Sequence, residues 1–568
     1  GGKRFNMRML RPDFNFSDRE LKQAADYLHD LGKRLYITVN NLYGNDDLSE
    51  IQDYLLFLQE IKADGLIIQD LAVAKIHREM GLTIPMHASV QMGIGSSSAV
   101  NFLESLGFSR VILSKNLNLQ EIEDIHSNSN LGLEFFAHGD MCISHTGQCL
   151  FSSLIAGESG NRGRCRKPCR WKYQLGRGNT LLPTGYYLAH KDLCLYPHLL
   201  ELVKAGIESF KIEGRMRDSD YLTFLVKTYR EALDRITQEP DIYHTDRNAM
   251  QNLQDKRVRD FNSAGLLGRI ELDSIGLDGS REPFFPTAPV KVVTLSANDF
   301  EPFHDTALSV PELIVKVGNL EALKKLKDQP IGYFILGLEK MQPGSQGWSW
   351  SELIEAMRYC QEQGLEYVIE TPRIVLQQDL ERIKGQLDRL GEYDGQAIMV
   401  NDLGTFQEGR GRGFTLYGGA GLNICNSQAG QLMIDQGLAR FTVSLESTFA
   451  DILALLASGM SVDVIVHGPQ RALITDLCLI KAAAGDAQKP CSVSCQEEGA
   501  FLIDELGQYY MIYSDDQCRN HIYLPNDICL YNYLPVLAKD AANGLRIEGQ
   551  YMPASDLYEV VSIYQEGL

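Results

Sequence analysis

The sequence predicts an α/β protein made of two related copies: a (β/α)8 TIM-barrel-like first copy with its N-terminal unit missing, then a diverged, barrel-like second copy. Three observations predict it. Strand-like and helix-like segments alternate along the chain, the alternation restarts after a Pro-rich stretch at 282–289, and matched landmarks recur in the same order in both halves. Strand–helix alternation calls for parallel strands covered on both faces, and barrels of this kind carry their chemistry on the loops after the strands. At 568 residues the chain exceeds what one ordinary core accommodates. The boundaries are placed at 1–280 for the first copy, 281–308 for a linker and 309–568 for the second copy.

In order, the first copy shows helical spacing over 18–31 behind the capping Ser17, a strand over 34–39, a helix over 48–63 and a strand over 65–69. Further strands are predicted over 84–88, 110–113, 133–137, 186–189 and 209–212. The repeat is explicit. Residues 108–114 (FSRVILS) answer to 438–444 (LARFTVS), with lead-in helices at 101–106 and 431–436. His138-Gly139 answers to His467-Gly468, Lys191-Asp-Leu-Cys194 to Asn526-Asp-Ile-Cys529, and Lys211-Ile-Glu213 to Arg546-Ile-Glu548.

Eight of the twelve cysteines fall into two clusters, which favours metal or redox chemistry over a disulfide framework. The first cluster is Cys142, Cys149, Cys165 and Cys169. In the second, Cys478, Cys491 and Cys495 stand where Cys149, Cys165 and Cys169 stand in the first, while Arg471 replaces Cys142. Cys518 is the expected fourth member there, with Cys529 in reserve. Irregular spacings of this kind suit two [4Fe–4S] clusters, iron being held through these cysteines; zinc is the alternative metal, although structural zinc sites favour two short knuckles. Cys194 is held in reserve in the first copy as Cys529 is in the second, and both read first, with Cys360 and Cys425, as buried apolar residues.

Among other candidates, Lys211 and Glu213 share one side of a strand end, where they could orient or protonate a substrate or simply pair. His87 and Gln91 follow a strand and could reach the barrel mouth, whereas their counterparts Tyr417 and Gly421 lack that polarity. His138, repeated as His467, reads as scaffold.

A formal charge of −20 argues against a surface that coats nucleic acid throughout. Locally, however, Arg162, Arg164, Arg166, Lys167, Arg170 and Lys172 are interleaved with Trp171 and Tyr173, a mixture able to hold phosphates and stack a base, or else a solvated basic loop. The sequence contains no apolar run of eighteen residues and no export signal at its start, so a cytoplasmic protein without a membrane span is expected.

The run Glu134-Phe-Phe-Ala-His-Gly139-Asp-Met-Cys142-Ile-Ser-His-Thr-Gly-Gln-Cys149-Leu-Phe-Ser152, with Cys165-Arg-Lys-Pro-Cys169, Lys191-Asp-Leu and Lys211-Ile-Glu-Gly-Arg215, closely resembles the signature of the collagenase-like peptidase family, U32. The resemblance implies [4Fe–4S] ligation by Cys142, Cys149, Cys165 and Cys169, with Cys478, Cys491 and Cys495 matching three ligands of partner-type members. It also implies oxygen-independent hydroxylation of a tRNA uridine with prephenate as oxygen donor, of an rRNA cytidine, or of ubiquinone precursors, the electron donor being unspecified. Arg215 joins His87, Gln91, Lys211 and Glu213 as a catalytic candidate. The chain departs from the family pattern at Asp140, where Ser or Ala is usual, and at Gln148, where Arg is usual.

Three functions follow as expectations. The first is an iron–sulfur enzyme acting on a nucleobase in tRNA or rRNA. The second is a collagenase-like peptidase, for which the sequence supplies neither an H-E-x-x-H helix nor a G-x-S-x-G elbow. The third is a non-catalytic cluster-binding assembly partner.

Overall fold

The computed structural model describes every residue except 11, 215–216, 283–284, 290–309, 344–346, 394–395, 486–490, 492–493 and 540–541. In the first copy six parallel strands pair in chain order: Tyr36–Val39, Gly65–Ile68, Met86–Ala88, Phe108–Ile112, Gly132–Gly139 and Ser209–Ile212. In the second copy eight do so: Glu312–Val317, Tyr333–Gly337, Tyr367–Glu370, Ala397–Val400, Thr415–Gly418, Leu438–Thr442, Val462–Gly468 and Gly544–Glu548. The last of these pairs with both Val462–Gly468 and Glu312–Val317, so the sheet closes on itself.

The second copy is thus barrel-like as expected, and the expectation for the first copy is corrected in the number of strands it lacks. The closed eight-stranded barrel is the second copy, and the first is an open sheet with no described counterpart of Glu312–Val317 or Tyr333–Gly337, two units short instead of one. The alternation of elements does reveal parallel pairing, because strands covered on both faces are apolar throughout: Gly65–Ile68 and Tyr333–Gly337 are buried at every position. It does not reveal closure, which depends on whether the two edge strands meet.

A second correction concerns 186–189. This segment is a turn, and the strand lies at Asp192–Cys194, antiparallel to Gly132–Gly139. Ile528–Cys529 pairs the same way with Val462–Gly468, so Cys194 sits opposite His138 as Cys529 sits opposite His467. Of the expected linker, Glu282 is anchored to Arg170 (2.5 Å) and Arg259 (3.1 Å) of the first copy, and 290–309 lie outside the described residues.

The copies pack through matching helices. Leu71–Glu79 lies against Ser427–Asp435, and Ser97–Ser105 against Leu403–Gly411, a pseudo-two-fold exchange of equivalent elements. Asp70 and Asp402 cap the equivalent helices Leu71–Glu79 and Leu403–Gly411, and Asn426 of the second copy donates to Asp70 at 2.9 Å. A further antiparallel sheet joins the copies: Tyr173–Arg177, just past the first cysteine loop, pairs with Ala500–Asp504, just past the second. Beneath it Phe151, Trp171, Tyr173, Leu175, Leu502 and Tyr510 form a small core separate from the main one, and Cys149, Cys169, Cys478 and Cys495 all pack against it.

Candidate functional site

The first cysteine loop leaves the strand Gly132–Gly139 at a glycine with φ of +124°, where a Cβ would stand 2.7 Å from that of Glu213. Gly468, at +120°, meets Glu548 in the same way in the second copy. Only glycine allows the loop to turn away at this point while the strand carrying the glutamate stays close. His138 behind it contacts the Tyr229 hydroxyl (3.1 Å), which also lies 3.7 Å from Cys194 Sγ. His467, Tyr564 and Cys529 repeat that triangle. Both histidines and both cysteines therefore brace the barrel ends.

The structure brings Cys142, Cys149, Cys165 and Cys169 together on one wall of a cavity of about 390 Å³. No disulfide joins them. Lys167 adopts a left-handed conformation (φ +55°) and donates its backbone N–H to Cys165 Sγ at 3.3 Å. Burial pushes the Cys149 and Cys169 thiols well above their ordinary range, and the neighbouring thiols add to it. Thiols buried in this way are poor anions by themselves and good ligands once a cation compensates them, so the four cysteines fit a thiolate-bound metal centre.

Arg8, Lys115, Lys211 and Glu213 line the same cavity. Lys211 pairs with Glu134 (2.9 Å), and Lys115 lies 4.0 Å from the centroid of Phe136 and donates to the Asp140 carbonyl. Burial alone would raise Glu213; Arg8 at 2.8 Å and Lys115 at 3.8 Å outweigh it and hold the carboxyl below its ordinary range. Gln91 also reaches the cavity. His87 does not: it is buried against Tyr36 (4.9 Å between ring centroids), and burial together with Arg110 lowers its pKa to about 4. That is a correction to its expected place at the mouth. Arg215 lies outside the described residues.

The basic stretch is corrected in part as an RNA-stacking surface. Trp171 is 1% exposed and Tyr173 is buried, so neither ring can stack a base. Arg170 is buried between Asp140 (3.0 Å) and Glu282, Lys167 pairs with Asp140 (3.0 Å), and Arg166 pairs with Glu158. Arg162 bridges Asp47 (3.0 Å) and, across the copies, Asp451 (3.4 Å). Arg164, Arg166 and Lys172 remain exposed. Asp140, one of the two departures from the family pattern, thus pins this basic run to the strand that carries it.

In the second copy Cys478, Cys491, Cys495 and Cys518 are mutual electrostatic neighbours, and Lys481 N–H donates to Cys478 Sγ at 3.4 Å. Cys518, not Cys529, is the thiol that joins the three. The two loops are tied directly: His145, between Cys142 and Cys149, bonds Asp476, two residues before Cys478, at 3.0 Å. Arg471, in the place of Cys142, pairs instead with Glu339 (3.0 Å) at the second barrel's mouth.

Sequence reasoning missed Arg8, Lys115 and Arg373, and marked Asp140 only as a departure from the family pattern. Lys115 could have been found, since it closely follows a strand end; Arg8 and Arg373 reach their sites only through long-range folding.

Among the described residues no helix is long and apolar enough to cross a membrane. A family model described as peptidase family U32 matches residues 1–274 and 318–568. Among curated proteins the chain is 36% identical over 247 residues to an uncharacterized protease of Methanocaldococcus jannaschii, covering 42% of this chain and 59% of that protein. It is 33% identical over 223 residues to a 23S rRNA 5-hydroxycytidine synthase of Escherichia coli (39% and 34% covered). It is 27% identical over 272 residues to a tRNA hydroxylation protein of Bacillus subtilis (46% and 64%). In each case the match covers less than two-thirds of the relative's own length.

Proposed function

This chain belongs to peptidase family U32, and we propose that it is an iron–sulfur enzyme that hydroxylates a nucleobase in tRNA or rRNA. The observation that carries this reading is the composition of the first-copy cavity, where four cysteines share a lining with Arg8, Lys115 and Lys211 around about 390 Å³. That space is of the order needed for a base withdrawn from its stack. Cys142, Cys149, Cys165 and Cys169 would hold the first [4Fe–4S] cluster, and Cys478, Cys491, Cys495 and Cys518 the second. A bound cluster supplies one-electron redox chemistry.

The chain's own residues position the reactants. Arg8 and Lys211 present positive charge to a phosphate or to the carboxylate of a small-molecule oxygen donor. Gln91 offers an amide able to pair with a base edge. Glu213, held ionised by Arg8 and Lys115, keeps those cations in place. The exposed Arg164, Arg166 and Lys172 lie beside the loop, where an RNA backbone could run. Two of the three relatives described above are named for rRNA or tRNA hydroxylation, which supports the substrate class.

The test is anaerobic purification with iron and sulfide counts, joined to mass spectrometry of tRNA and rRNA nucleosides from cells with and without the protein. Two cubes per chain and a hydroxylated nucleoside that vanishes with the protein are expected. Zinc in place of iron, or gelatin cleavage by iron-free protein with unchanged nucleosides, would overturn the proposal.

A further inference from the structure

We propose that the mouth of the second barrel binds a small hydroxycarboxylate, anchored by Arg373 and linked to the first cysteine loop through Gln148. Four cations line the cavity there, Lys316, Arg373, Arg471 and Arg546, against three carboxylates, Glu339, Glu370 and Glu548. Three of the cations are matched. Lys316 pairs with Glu370 (2.6 Å), Arg546 with Glu370 (2.9 Å) and Glu548, and Arg471 with Glu339 (3.0 Å). Arg373 is the fourth. Its Nε donates to the neutral Gln148 Oε1 at 2.7 Å, and its guanidinium forms no salt bridge among the described residues.

A planar guanidinium that lines a cavity and is paired with none of its carboxylates can hold a ligand carboxylate in two parallel hydrogen bonds. Burial, and after it the nearby Arg471, bring the Arg373 pKa down to about 10 despite Glu370 and Glu339, and the lining carries four cations against three carboxylates, so an anion beside Arg373 would offset the burial of its charge. The three acids opposite disfavour a doubly charged phosphate. Gln550 Oε1 lines the same cavity and is buried without a hydrogen-bond partner, which leaves an acceptor for a ligand hydroxyl. The cavity, about 70 Å³, suits an acid of a few carbon atoms.

The site belongs to the second copy alone. Aligning Tyr36 with Tyr367, the first residues of equivalent strands, puts Leu42 where Arg373 stands. Gln148, which donates to the Gly421 carbonyl (3.1 Å) as well as holding Arg373, immediately precedes Cys149. A ligand on Arg373 would therefore act on a side chain next to a thiol of the first set. The assignment does not depend on the nucleobase reading.

Calorimetric titration of the full chain under anaerobic, low-salt conditions tests it, with lactate, propionate and inorganic phosphate as probes. Lactate should bind more tightly than propionate, which lacks the hydroxyl, or phosphate. Arg373→Gln should weaken lactate about tenfold or more. Gln148→Glu, which supplies Arg373 with an internal acid, should weaken it comparably, and this keeps the proposal testable if Arg373→Gln does not fold. Lys211→Met, in the first-copy cavity, should bind lactate as the parent does. Absence of lactate binding at millimolar concentration, unchanged affinity in Gln148→Glu, loss of binding in Lys211→Met, or preference for phosphate would each overturn it.

Discussion

Asp140 Oδ1 lies 3.0 Å from Arg170 Nη2 and 3.0 Å from Arg259 Nη1, so one carboxylate at the root of the first cysteine loop holds two buried guanidinium groups. Lys167 adds a third cation at 3.0 Å, and the cations keep Asp140 well below the ordinary carboxylate range even though burial would raise it. Asp140→Ala should therefore cost about 3 kcal/mol or more, because it leaves buried charge without its partner. Urea unfolding checks this. A loss under 1 kcal/mol would show that Glu282 and Asp192 suffice for the two arginines.

The two thiol sets should load separately. Cys149→Ser is expected to remove about half of the iron and sulfide while the second set keeps its share, and Cys518→Ser should do the converse. If only the first set serves chemistry, RNA hydroxylation disappears in Cys149→Ser, and any residual activity in Cys518→Ser measures what the second set contributes. Elemental analysis with nucleoside mass spectrometry reads both. Full iron content in Cys149→Ser would remove that residue from the ligand set.

RNA affinity should follow the cations that remain exposed. Arg164→Ala and Lys172→Ala should each weaken binding across sequences and lower the slope of log affinity against log salt by roughly 1. Arg162→Ala should leave that slope unchanged and instead cost about 1 kcal/mol of stability, since Arg162 bridges Asp47 and Asp451 between the copies. Filter binding at several salt concentrations separates the two outcomes.

Stability should rise on mild acidification and fall only at lower pH. Burial raises Asp70 and Asp402, the matched helix caps at the interface of the copies, to about 6. Their folded values exceed their unfolded ones, so the folded state binds more protons between about pH 6 and the ordinary aspartate range near 4, and stability increases as pH falls through that window. Glu339 runs the other way. Burial opposes its ionisation, but Arg471 and His521 bring it to about 2, so its contribution is present above the ordinary glutamate value and is lost as pH falls from about 4.5 towards 2. Melting temperatures from pH 7.5 to 3 should pass through a maximum near 5, and in Asp70→Asn with Asp402→Asn the rise should be absent.

The sequence by itself determined the alternation of elements, the duplication and the membership of the two cysteine sets, because each is written in local pattern: period, spacing and matched order. It offered Cys518 as the fourth of the second set, with Cys529 in reserve, since Arg471 stands where the first copy has Cys142. It could not decide which copy closes into a barrel, because closure depends on two edge strands meeting across the whole domain. Nor could it tell that the basic run 162–172 turns inward. A cation's sequence neighbours do not reveal whether a carboxylate from Asp140, Glu282 or Asp451 waits for it, and here those acids arrive from up to 289 residues away. The same holds for Arg373, whose want of a paired acid is visible only when the second barrel and the first cysteine loop meet. Charges become sites or struts according to which partners long-range packing supplies, and that is settled in three dimensions.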